Sequence, residues 1–355
     1  MNRNHPVISL RQLFAVLFLI LFPLGTQRLF SRLTDAGSAA WLCPLLAGGV
    51  VLAAAILIGR KKLGDPLAFP KTTPRRFWSG ACFLWGILFT AAQGVRVSGR
   101  LADSLGAAPV LLTAATLLLA GWMAVGGLPA FARASEIFIL IIMGSFGLIF
   151  LGGIFRIQWD YLILWESAEI TQVPGGVFAV LGTLAMGCWV LLFAEEIGSE
   201  DKCRPRVLRR LALLFLLLTA AMILVLGRFG PALTAQVDRP FFQMVSGLGF
   251  EGGFQRLEEL VSALWFLGDA ALLSFLLLAL RRLLGKMTER KESRRQIWGV
   301  AAAAFLLSLP VELWHEVLAG EILLAGNLVA GGLLLLFSVR FGRAGKSRKK
   351  FEKGG

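Results

Sequence analysis

Phe22-Pro23-Leu24-Gly25-Thr26-Gln27 sits inside an apolar run, residues 8–32, that is long enough to cross a bilayer. A span takes about 20 mostly apolar residues, because the hydrocarbon core is about 30 Å thick. Without water, its backbone N–H and C=O groups can be satisfied only within a helix. Proline removes a helical hydrogen bond and glycine relaxes the backbone, so this hexapeptide predicts a break in the first span. Outward from it, further apolar runs follow at 39–60, 77–101, 110–130, 137–155, 177–194, 208–229, 257–280, 297–311 and 319–341. The sixth span carries Gly182-Thr183-Leu184-Ala185-Met186-Gly187, a second interruption five spans after the first. Ten spans divide into residues 8–155 and 177–341. An odd number of spans per half starts the second half on the opposite side, which is the inverted repeat of many transporters. The expected fold is an all-α integral membrane domain over 1–355, with about ten transmembrane helices in a 5+5 inverted repeat. Helices 1 and 6 are expected to be broken, and a basic, disordered tail is expected at 342–355.

Composition agrees. The chain is 57% hydrophobic and only 16% charged, against about a quarter charged in soluble domains; its mean hydropathy is +0.74. The net charge of +14 does not point to nucleic acid, because the basic residues sit between spans and no RNA- or DNA-binding motif accompanies them. Arg60, Lys61, Lys62, Lys71, Arg75 and Arg76 lie between helices 2 and 3. Lys202, Arg204, Arg206, Arg209 and Arg210 lie between helices 6 and 7. Arg281, Arg282, Lys286, Arg290, Lys291, Arg294 and Arg295 lie between helices 8 and 9, and the tail adds more. All fall on one side, so both termini are expected in the cytoplasm, where the basic side also attracts anionic lipid. The longest outward connection, 230–255, mixes Pro231, Pro240 and glycines with the apolar Phe241–Val245 stretch, which predicts a short surface helix between turns. Cys43, Cys82, Cys188 and Cys203 show neither disulfide nor zinc spacing, and His5 and His315 are too few for a histidine metal site. No phosphate loop, nucleophile elbow or zinc-protease helix is present. The chain is therefore expected to be no enzyme and to need no cofactor or metal.

Broken helix ends expose N–H and C=O groups suited to a small zwitterion. This makes Gly25, Thr26 and Gln27 with Gly182, Thr183 and Gly187 the candidate ligand-binding residues. Glycines in membrane helices also serve as close-packing points, and that alternative stays open. Asp269 lies near the middle of span 8, where an ionisable group is costly and marks function. It has three uses: a proton site, a ligand for a cation or substrate amine, or a paired carboxylate that fixes packing. Arg96 and Arg100 are possible partners, or they snorkel to the interface. Trp265, one turn before Asp269, and Gln93 complete the candidate pocket, while Glu195 and Glu196 at the end of helix 6 are expected to be solvated.

Several blocks resemble the spore germination permeases, the B subunits of nutrient germinant receptors in the amino acid/polyamine/organocation transporter superfamily. Arg239-Pro240-Phe241-Phe242-Gln243-Met244, Gly252-Gly253-Phe254-Gln255-Arg256-Leu257-Glu258 and Trp265 look like the start of that family's helix 8. Ala132-Arg133-Ala134-Ser135-Glu136-Ile137 resembles its Arg-x-x-Glu turn between helices 4 and 5. Ile8-Ser9-x-x-Gln12, Ala36-Gly37 before Trp41, and Gly25 fit as well, although Ala39-Ala40 stands where the family often has an acidic residue. The resemblance implies a leucine-transporter-type fold and a subunit that senses an amino acid or similar nutrient and triggers germination. It implies residence in the inner membrane of a spore and A and C subunits as partners. A proton- or sodium-coupled amino acid permease is the alternative.

Overall fold

The structure, a computed structural model, describes residues 8–58, 66, 73–163, 167–197, 204–237, 239–248, 257–289, 292–310 and 321–351. Ten helices correspond to the ten apolar runs: α1 Leu10–Arg28, α2 Leu42–Ile58, α3 Thr73–Leu105, α4 Pro109–Val125, α5 Gly127–Ile154, α6 Ser167–Leu184, α7 Arg204–Gln236, α8 Leu257–Thr288, α9 Arg294–Ser308 and α10 Ile322–Phe351. Eight of the spans are long and apolar enough to cross a membrane unaided; α4 and α9, at 17 and 15 residues, are shorter. A 3-10 segment, Thr34–Trp41, leads into α2, and a short helix, Pro240–Ser246, lies in the long connection before α8 as expected. The Gly252–Arg256 part of that connection lies outside the described residues.

The start of α1 follows from a capping box. Ser9 Oγ accepts from the Gln12 backbone N–H (3.2 Å), and Gln12 Oε1 accepts from the Ser9 N–H (3.1 Å), which satisfies donors that a helix start leaves open. Ser293 and Gln296 repeat the device at α9.

Packing follows a two-fold rule in which helix n exchanges with helix n+5. α1 packs on α5 as α6 packs on α10; α1 packs on α7 as α6 packs on α2; α3 packs on α9 as α8 packs on α4. The pairs α2–α7 and α3–α8 map onto themselves. The inner elements are α8, whose apolar window is 78% buried, and α1, α3 and α6 at 61% each; α2 at 22% and α5 at 28% form the lipid-facing shell. α7, at 56%, is nearly as buried as α1, α3 and α6.

Three expectations change and one is met. Helix 1 is not broken at residues 22–27: α1 runs through Pro23 to Arg28. Pro23 deprives the Leu19 carbonyl of its partner, but neighbouring helices can accommodate such a fault, and here α8 closes on it. A methyl group at Gly268 would lie 3.3 Å from the Leu19 oxygen and 2.6 Å from the Pro23 ring. Helix 6, by contrast, changes at Leu184 from an α-helix to a 3-10 segment, Ala185–Glu196, a long run for that tighter helix. The Ala132–Ile137 stretch is not a turn but lies within α5; the α4–α5 boundary is Gly126-Gly127, with Gly127 at φ 77°, where glycine adopts a conformation other residues avoid. The tail does not leave α10 at residue 342, since the helix continues to Phe351.

Candidate functional site

The far ends of α1 and α3 and the middle of α8 meet in one polar cluster. Asp269, only 3% exposed, accepts from Arg100 Nη2, while Arg100 Nη1 donates to Gln27 Oε1. Gln27 Nε2 in turn makes long contacts, 3.5 Å each, to Asp269 Oδ2 and to the Trp265 carbonyl. Trp265 donates its indole N–H to Thr26 Oγ1 at 3.1 Å, and that hydroxyl lies 3.1 and 3.2 Å from the Pro23 and Phe22 carbonyls. Arg28 Nη2 donates to Gln93 Oε1. Arg32 and Arg96 also lie within electrostatic reach of Arg28.

The helical periodicity of α1 explains the division of labour. Thr26, Gln27 and Arg28 are successive residues, each turned about a hundred degrees from the last. Thr26 therefore meets Trp265, Gln27 meets Arg100 and Asp269, and Arg28 meets Gln93. Asp269 is an ion-paired carboxylate, and Arg100, one of its two sequence candidates, is the partner.

Beside Thr26 lies a cavity of about 30 Å³ between α1, α5 and α8, lined by Phe22, Pro23, Thr26, Ser145, Phe146 and Trp265 among others. That volume is one water's share of liquid, far below the several hundred Å³ of a small-molecule pocket. Trp265 and Phe241 both line it, and Trp265 packs against Phe241 and Phe242 of the short Pro240–Ser246 helix, at ring distances of 6.1 and 6.0 Å. A ligand larger than water fits there only if the walls move.

The glycines of the candidate set are at packing surfaces. A methyl group on Gly25 would lie 2.7 Å from Leu218 of α7, on Gly182 2.9 Å from Leu324 of α10, and on Gly187 3.0 Å from Leu21 of α1. Thr183 is 3% exposed, and its hydroxyl has no hydrogen-bond partner among the described residues. Thus Thr26, Gln27, Asp269 and Trp265 come together, with Gln93 joined through Arg28. Gly182 and Gly187 face other helices.

The opposite, basic end is tied shut by a second network. Arg11 Nε meets Glu136 Oε1 at 2.5 Å, and Gln12 Nε2 donates to Glu136 Oε2 at 3.3 Å. The Ile8 N–H donates to the Glu196 carbonyl at 3.1 Å, and Arg210 donates to the Leu10 carbonyl at 3.1 Å. Glu196 is not simply solvated, because its carboxylate holds Arg282. Among the described residues no group of three His, Cys, Asp or Glu side chains is placed to hold a metal ion.

Sequence reading missed Arg28 and Gly268. Arg28 was one charge at the end of a span, and Gly268 was a single small residue whose meaning depends on the helix opposite. The signal for Gly268 was its place beside Asp269, since small residues mark close helix crossings in membranes.

No protein-family model matches the chain, and no curated protein sequence does. Solved structures match over nearly its whole length. A crystal structure of MhsT in complex with L-phenylalanine aligns with a TM-score of 0.62 and 17% identity, covering 92% of this chain and 86% of MhsT. A Na+-coupled sialic acid symporter in a substrate-bound, outward-open state aligns with a TM-score of 0.60 and 16% identity, covering 94% of this chain and 79% of the symporter. The chain therefore has the leucine-transporter type of fold, that of a multi-pass membrane protein.

Proposed function

We propose that this protein binds a small nutrient, an amino acid or close analogue, beside the α1–α8 crossing, and that it does so as the sensing B-type subunit of a spore germinant receptor. The observation that carries the reading is the Trp265–Thr26 hydrogen bond beside a small apolar cavity, next to the Arg100–Asp269–Gln27 cluster. Aromatic walls beside a few convergent polar groups suit a molecule with one apolar and one charged end. A receptor needs only different affinities for its ligand in a resting and a signalling state, and in this reading the small cavity is the resting state and a widened one the signalling state. The Arg-Pro-Phe-Phe-Gln block that resembles the germination permeases supplies the start of the short helix packed against Trp265. In this reading the basic end faces the cytoplasm, the membrane is that of the spore, and A and C subunits receive the signal. The protein is no enzyme.

The second reading, a proton- or sodium-coupled amino acid permease, is favoured by the Na+-coupled symporter and the phenylalanine-bound MhsT among the structural neighbours. One pair of experiments separates the two. Spores lacking the gene are exposed to single amino acids and followed by loss of refractility, and the purified chain in proteoliposomes is assayed for uptake under sodium and proton gradients. The receptor reading expects a lost germination response and no concentrative uptake. Concentrative uptake with unchanged germination overturns it in favour of the permease.

A further inference from the structure

Between α1 and α3 the protein leaves two adjacent hydrogen-bond donors without acceptors. Gln93 is 1% exposed. Its Oε1 accepts from Arg28 Nη2, and this fixes the amide orientation, because the flipped amide would set donor against donor. Gln93 Nε2 then finds no acceptor among the described residues, and neither does Arg28 Nε, which is sealed from solvent. The two orphan atoms belong to side chains already bonded to each other, each two bonds from an atom of that contact. Leaving a buried donor unsatisfied is costly, more so for a charged group.

The surrounding charges are mostly positive, with Glu321 facing Arg32. Arg28 shows no ion pair within 4 Å among the described residues, and its charged neighbours at longer range are Arg32, Arg96, Arg100 and Asp269. Asp269, the carboxylate of that set, is engaged by Arg100. A single acceptor carrying one negative charge would satisfy both orphan donors and sit favourably in this field. A water would satisfy the donors without the charge.

We propose that Arg28 and Gln93 form a binding site for a small monovalent anion, either chloride or the carboxylate of an organic ligand. The carboxylate source rests on the nutrient-binding reading above; the chloride source does not. In both, Arg28 supplies the charge and Gln93 Nε2 the second donor. Recognition is by side chains, unlike the exposed helix amides that the sequence led us to expect.

The test uses the full-length chain in lipid nanodiscs. Its thermal midpoint is measured in sodium isethionate, and chloride or acetate is then titrated in at constant ionic strength. The expected result is a saturable rise. A rise with chloride, with or without acetate, identifies an inorganic anion site; a rise with acetate alone identifies a carboxylate site. The Gln93→Glu variant builds an anion into the site, so its midpoint without added anion should exceed that of the unsubstituted protein. Its apparent anion affinity should fall about tenfold or more, the weight of one charge-assisted hydrogen bond. Arg28→Gln should abolish the anion response. If neither anion shifts the unsubstituted protein, or if Gln93→Glu leaves the response intact, a water bridges the two donors and the proposal is overturned. Uptake and germination assays can fail without altering this outcome, so the two readings fall separately.

Discussion

Asp269→Asn removes the carboxylate that Arg100 holds between α3 and α8. Asp269 is 3% exposed, and the Arg100 side chain is 22% exposed. Breaking a buried ion pair by removing one partner costs about 3–5 kcal/mol, because the other charge stays behind. Arg100 retains some solvent and its bond to Gln27, which places the expected loss at the low end, about 3 kcal/mol. Removing both charges with apolar residues of similar size, Arg100→Met with Asp269→Leu, should cost much less than either single change, because no buried charge remains. The unfolding free energy is measured by SDS titration in mixed micelles, followed by tryptophan fluorescence, for Asp269→Asn, for Asp269→Leu and Arg100→Met singly, and for the double. A coupling energy of about 2 kcal/mol or more is expected. If the single losses stay under about 1 kcal/mol and add in the double variant, the pair does not hold α3 to α8 and the cluster is wrongly assembled.

Gly268→Ala should destabilise by about 1–3 kcal/mol, the usual cost of overpacking, because its methyl group would lie 2.6 Å from the Pro23 ring. Gly299→Ala, where a methyl group meets nothing within 4 Å, is the control and should be near neutral in the same titration. Thr26→Val and Trp265→Phe each delete the 3.1 Å hydrogen bond and should each cost about 1 kcal/mol; the double variant should lose less than the sum, and strict additivity would show that the bond is not made. Orientation is tested by cysteine labelling of intact cells: Ser246→Cys, in the exposed outer turn, should react with an impermeant maleimide, and Ser293→Cys, at the basic end, should not. The reverse pattern would place the basic end outside.

The ten spans were legible because bilayer thickness imposes a length on each apolar run, and no other feature of the chain competes with it. The 5+5 arrangement was read from the count of ten spans and from the interruptions at corresponding places in spans 1 and 6. The α4–α5 boundary was misjudged because Arg133 and Glu136 look like a solvated turn. The structure buries Ala132 and Ser135 beside them, and the Gly126-Gly127 pair makes the turn instead. The α1 break was misjudged for a related reason. Proline removes a hydrogen bond from its own helix, but the consequence depends on what lies opposite the freed carbonyl, and the α8 glycine opposite Leu19 is 249 positions away in sequence. Helix 6 has the α8-independent signal, two glycines in six residues, and there the geometry does change. Asp269 was legible as a buried charge because its depth is fixed by the span. Its partner was not, since Arg96 and Arg100 are one turn apart on one helix face and only packing chooses between them.

These contacts also locate the step at which ligand binding must act. The α1–α3–α8 cluster is rigid in the sense that each side chain in it holds another: Arg100 grips Asp269 and Gln27, and Trp265 grips Thr26. The 30 Å³ beside it cannot admit a nutrient, so binding at that cavity needs a displacement of its walls. Phe241 and Phe242 touch Trp265 through ring contacts without a hydrogen bond between them, on a helix of seven residues. Opening the basic end instead would require parting Arg11 from Glu136, Arg282 from Glu196, and the backbone bond from Ile8 to Glu196. A ligand can shift an equilibrium only by its difference in affinity for the two states. In the proposed reading, the first movement is assigned to the Pro240–Ser246 helix lifting from Trp265, and α1, whose unbroken Leu10–Arg28 helix joins the two networks, is the element that would relay it.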